Sequence, residues 1–140
     1  MAYDVNQELG DHDGEVDTVD VIEKGSDIII TARFRFKDGE IGNKDLYPLK
    51  SEKSAQLCRK AMSAMGFSMA DRDLGELQKN PAILKGNAVR LVVQENVYNG
   101  NVTNRIAFVN AIPKPASRSL LDKANAALKA VKKTDQDDDL

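Results

Sequence analysis

The chain has 140 residues, 41% of them hydrophobic, 30% charged and only 5% aromatic, with one cysteine and no tryptophan. That suffices for one domain with an aliphatic core and falls short of two. No apolar run of bilayer length and no basic-then-apolar leader is present, which leads to the expectation of a cytoplasmic protein. The net charge of −2 hides a basic body between acidic ends, since residues 20–116 carry fifteen Lys or Arg against eleven Asp or Glu.

Residues 1–18 hold few apolar side chains, and the acids Asp4, Glu8, Asp11, Asp13, Glu15 and Asp17 stand there without a Lys or Arg. This composition predicts a mobile acidic arm. Order is expected from Val19. Val19 to Glu23 and Asp27 to Phe36 read as strands joined at Lys24-Gly25-Ser26. In the second strand Ile28, Ile30, Ala32, Phe34 and Phe36 share one face, and Ile29, Thr31, Arg33, Arg35 and Lys37 share the other. Ile41 to Leu49 reads as a short extended piece. Ser51 is placed to cap a helix in which Ala55, Cys58, Ala61, Met62 and Met65 recur at helical spacing up to Gly66.

Phe67 to Pro81 reads as a connector. Its Asp71, Asp73 and Glu76 lack the order of a calcium-binding loop and fit solvated carboxylates. Arg90 to Val97 and Val102 to Ile112 are strands around Tyr98-Asn99-Gly100-Asn101, a strong hairpin signal because Asn and Gly accept positive φ. Beyond Pro113 and Pro115, Ser117 or Ser119 is placed to cap a last helix with an apolar stripe of Leu120, Leu121, Ala124, Leu128 and Val131. Thr134 to Leu140 is expected to be a disordered acidic tail. The string fits a mainly β, α+β domain, either a strongly curved barrel of OB type or a flatter sheet with one packed helix. The expected organisation is an arm over 1–18, a domain over 19–113, a proline-led linker and amphipathic helix over 114–133, and a tail over 134–140.

Catalytic motifs are missing: there is no P-loop, nucleophile elbow, paired-cysteine zinc motif or H-E-x-x-H. His12 lies in the acidic arm, and Cys58 shares a helix face with Met62 and Met65, as a core residue does. No enzyme, cofactor or metal is expected. Polyanion binding fits better. Arg33, Arg35 and Lys37 would recur roughly 7 Å apart along a strand, close to the spacing of phosphates on an extended single strand. Lys44, Lys50, Lys85, Arg90 and Arg105 are candidates to extend the row, and Tyr47 and Tyr98, near turns, are candidates for base stacking. Phe34, Phe36, Phe67 and Phe108 read as core.

Several segments resemble a phage-encoded family of small single-stranded-DNA-binding proteins associated with recombination or replication genes. They are VDTVDVIEKGSDIIITARFRF, SEKSAQLCRKAMSAMGF, DLGEL, LKGNAVRLVVQENVYNG and NRIAFVNAIP, spanning roughly residues 16–113. The resemblance implies an OB-like domain that coats single-stranded DNA with little sequence preference and supports annealing, recombination or replication. It also implies a partner-binding role for the tail residues Asp135, Asp137, Asp138, Asp139 and Leu140, although the Pro-Phe ending common in bacterial versions is missing. The competing reading is a protein-interaction module, a phage adaptor or host-enzyme inhibitor acting through its acidic ends and last helix. Self-association through residues 120–131 and docking of that helix on its own domain are both open.

Overall fold

The computed structural model describes residues 3–113 and 115–131. Five antiparallel strands, β1 (Gly10–Lys24), β2 (Asp27–Phe36), β3 (Ile41–Leu46), β4 (Ala88–Tyr98) and β5 (Asn101–Asn110), form one sheet in the order β3-β2-β1-β4-β5. Helices α1 (Glu52–Ala64) and α2 (Leu74–Lys79) lie between β3 and β4, and α3 (Arg118–Lys129) follows β5. The α+β class is as expected from the sequence.

The alternation of β2 sets the core. Ile30, Ala32, Phe34 and Phe36 are buried, whereas Arg33 and Arg35 are exposed on the opposite face. Lys37 falls in the turn after β2 rather than continuing its row. From β1 and β4 the core takes Val16, Val19, Val89, Leu91 and Val93. Ser51 caps α1 by accepting from the Ser54 amide, and the helix buries Cys58, Ala61 and Met62 against the sheet. Burial pushes the Cys58 thiol pKa up, in keeping with a packed, uncharged side chain. The β4–β5 turn places Asn99 and Gly100 at φ +50° and +79°, the double positive φ that this dipeptide supplies cheaply.

The expected arm is the main correction. Residues 10–18 form the first half of β1 and pair with both β2 and β4, so the central strand of the sheet begins nine residues before the apolar run at Val19 that announced it. Residues 3–7 bridge the two sheet edges. The Val5 amide donates to the Asn104 carbonyl of β5, the Asn6 amide to the Glu40 carboxylate beside β3, and the Tyr3 hydroxyl to Asp45 of β3. Val5 itself is buried. A segment rich in acids is held here because its backbone and alternate side chains are satisfied by two strands, which composition does not report.

Two further expectations change, and one open point is decided. The connector contains α2, where Asp73 and Glu76 form a capping box rather than a solvated acidic loop. Phe108 is exposed, because the register of β5 shifts between its pairings with Val92 and Val93 and sets Phe108 opposite Val92 on the outer face. Helix α3 is capped by Ser117 as expected, yet buries no residue, so it does not dock on its own domain.

Candidate nucleic-acid interface

Antiparallel register decides which candidate side chains share a surface. Arg33 pairs with Asn43 and Thr31 with Asp45, so these four lie on the outer face of β2 and β3. Thr31 donates from its hydroxyl to Asp45 at 2.8 Å, and Tyr3 donates to the other carboxylate oxygen at 2.9 Å. Tyr3, Asn43 and Asp45 also line a groove of about 570 Å³ that runs between β3 and the β4–β5 hairpin, together with Tyr47, Gln94 and Arg105. The outer arginine row therefore adjoins a tyrosine-lined groove at the Arg33–Asn43 pair.

Tyr47 keeps about a third of its surface exposed, and the Lys50 ammonium stands 5.4 Å from its ring centroid. Burial, reinforced by the Asp45 carboxylate, raises the pKa of Tyr47. Burial and the Asp45 hydrogen bond do the same for Tyr3. Both rings are thus uncharged at neutral pH and free of repulsion toward phosphates. Arg105 stacks over Tyr3 at 6.0 Å and donates to Asp4 at 2.8 Å, a bond that lowers the pKa of the Asp4 carboxyl. Tyr98, 70% exposed, stands at the end of β4 beside the hairpin turn.

Lys44 departs from expectation. It pairs with Ala32, on the face opposite Arg33, and burial lowers its ammonium pKa. It borders the groove from the inner side without extending the arginine row. Arg90, on β4, pairs with Asp13 at 3.5 Å and shares a separate cleft with Lys37. Lys85 joins Arg33 and Arg35 instead: all three stand within 4.0 Å of the Asp17 carboxylate, at 3.9, 4.0 and 3.8 Å. Asp135, Asp137, Asp138, Asp139 and Leu140 lie outside the described residues.

The N-terminal acids thus answer the candidate cations one by one, Asp4 with Arg105, Asp13 with Arg90, and Asp17 with Arg33, Arg35 and Lys85. Tyr3, Asp17 and Asn43 escaped the sequence reading. The signal for Asp17 was the break in alternation between Val16 and Val19, both buried at a spacing of three.

His12, the only histidine, lies with its Nε2 2.6 Å from the Glu8 carbonyl oxygen and its ring edge-on to Phe36. Among the described residues no three His, Cys, Asp or Glu side chains are grouped to hold a metal ion, and no helix is long and apolar enough to cross a membrane. The chain matches no protein-family model and no curated protein.

Proposed function

We propose that this protein binds single-stranded DNA with little sequence preference, through an OB-type domain whose outer β2–β3 face tracks phosphates while tyrosines at its rim stack on bases. The observation that carries the reading is the junction of the exposed Arg33–Arg35 row with the groove lined by Tyr3, Tyr47 and Arg105. The strand order β3-β2-β1-β4-β5, with α1 between β3 and β4, supports the OB assignment. So does the approach of β3 to β5 where Gly42 meets Ile106. In OB domains the second and third strands, with the loops joining strands 1–2 and 4–5, make the oligonucleotide surface. Here those positions hold the exposed Arg33, Arg35 and Tyr98.

A sequence-tolerant mechanism follows from the chemistry. Guanidinium groups at half exposure exchange a weak surface ion pair for phosphate contacts, and the released counterions drive association. Aromatic faces accept any base. Support of phage recombination, annealing or replication in the host cytoplasm, with the acidic tail contacting a partner enzyme, is the biological setting we propose from the sequence resemblance.

A second reading draws on α3 and the residues just past it, where Leu120, Leu121, Leu128 and Val131 are all exposed: an interaction module that engages a protein or a second copy of this chain. The two are separated by fluorescence anisotropy on labelled single-stranded and duplex oligonucleotides at low and moderate salt. Salt-sensitive binding that favours the single strand upholds DNA coating. No binding at low salt refutes it.

A further inference from the structure

Asp17 sits at a β-bulge. The register of β1 against β2 passes from Val16–Phe34 to Thr18–Arg33, leaving Asp17 as the extra residue, and Val16 and Val19 are both buried on either side of it. An extra residue re-aims its side chain relative to the pleat. The result is a carboxylate only 15% exposed, surrounded by Arg33, Arg35 and Lys85 from two other segments, which are 53%, 45% and 65% exposed.

Three cations around one anion leave a net charge of +2. The separations of 3.8 to 4.0 Å exceed hydrogen-bond reach, so the carboxylate gathers the cationic groups without occupying their donors. Glu15, the register partner of Arg35, is the next acid along the same face and is exposed.

We propose that Arg33, Arg35 and Lys85 form one phosphodiester site and that Asp17 is its built-in occupant, a fixed carboxylate from which the cations must turn toward an incoming phosphate. This rests on the DNA-binding reading for the identity of the polymer, but its anion chemistry stands independently. Asp17 holds the three flexible side chains in one place while weakening the field they present. It acts as a brake on affinity, and removing its charge tightens anion binding.

The test compares parent, Asp17→Asn and Glu52→Gln, the last making the same charge change on α1. Each is titrated with a labelled oligo-dT and with inorganic tripolyphosphate, with thermal melting as the check on folding. Asp17→Asn is expected to bind oligo-dT three- to ten-fold more tightly than parent, more so at low salt, while Glu52→Gln changes it less than two-fold. Equal or weaker binding by a folded Asp17→Asn, with the parent still binding DNA, overturns the brake and leaves the DNA reading intact. If the parent binds no oligo-dT, the DNA reading falls. The brake is then judged by tripolyphosphate: gained affinity in Asp17→Asn upholds it and no gain overturns it. Should Asp17→Asn fail to fold, the parent decides by NMR: shifts at the Arg33 and Arg35 Nε–H groups on adding tripolyphosphate support the site, and unmoved signals refute it.

Discussion

Gly42 of β3 lies so close to Val5 that a β-carbon at position 42 would stand 2.9 Å from Val5 Cγ1, and 2.8 Å from Ile106 Cδ1 of β5. Two sheet edges and the N-terminal segment therefore meet at one residue without a side chain. Gly42→Val is expected to destabilise the domain by about 1–3 kcal/mol through overpacking, read as a lower midpoint in urea. An unchanged midpoint would show that β3 and β5 are not held at this separation.

Removal of residues 1–7 tests the same closure from the other side. It deletes buried Val5, worth about 1.5–3 kcal/mol, and the bonds from Tyr3 and Asn6 to β3 and its turn. A clear loss of stability by thermal melting is expected. A mobile arm would leave the midpoint where it is.

Arg33→Ala with Arg35→Ala is expected to weaken single-stranded DNA binding alike for all base compositions. Their loss should flatten the slope of log affinity against log salt by about 0.7 for each phosphate contact removed. Both side chains are half-exposed, so the melting midpoint should hardly move. Unchanged affinity in the folded double variant would take the β2 row out of the interface.

Tyr98→Ala separates stacking from electrostatics. It should cost about 1–3 kcal/mol in binding and leave the salt slope unaltered, because a ring neutralises no phosphate. With 70% of its surface exposed, Tyr98 adds little to folding. Equal affinity for parent and variant would exclude it.

Lys44 offers a pH test. Burial lowers its ammonium pKa below 10.5, so the folded state pays a desolvation cost wherever the group is charged in both states. That cost is full below the folded pKa and is relieved as pH rises through it toward the unfolded value. Lys44→Met should accordingly be more stable than the parent at neutral pH, and the difference should shrink in alkaline buffer. A constant difference across pH would assign the effect to packing instead.

Much of this architecture was legible in the sequence, and the gaps have physical causes. The Ile-Ile-Ile-Thr-Ala-Arg-Phe-Arg-Phe alternation marked both faces of β2, Asn99-Gly100 marked the hairpin, and Ser51 marked the start of α1. The opening of β1 was hidden because the central strand is polar there, its acids facing cations supplied by other strands. Asp73 and Glu76 stood at capping-box spacing, but a six-residue helix is too short to show a hydrophobic period. Lys44 does not extend the arginine row because it pairs with Ala32, and sequence reveals alternation within a strand but not its register against a neighbour. Of the site, the arginines and Tyr47 were visible as residue types. Their relation to Asp17 and Tyr3 required the bulge and the closing segment.

The tie between the N-terminal segment and β5 also constrains how the chain reaches this state. Gln7 accepts through its carbonyl from the Asn104 side chain, 97 positions away, and Val5 is secured by the same residue's backbone. During synthesis β1 can pair with β2 early, but its other neighbour, β4, and the seal at β5 arrive only after both helices have been made. Long-range closures of this kind slow folding. Until β4 and β5 emerge, the apolar faces of β1 and β2 lack the core residues Val89, Leu91, Val93, Ile106 and Val109, and exposed apolar surface of this kind favours aggregation of a nascent chain.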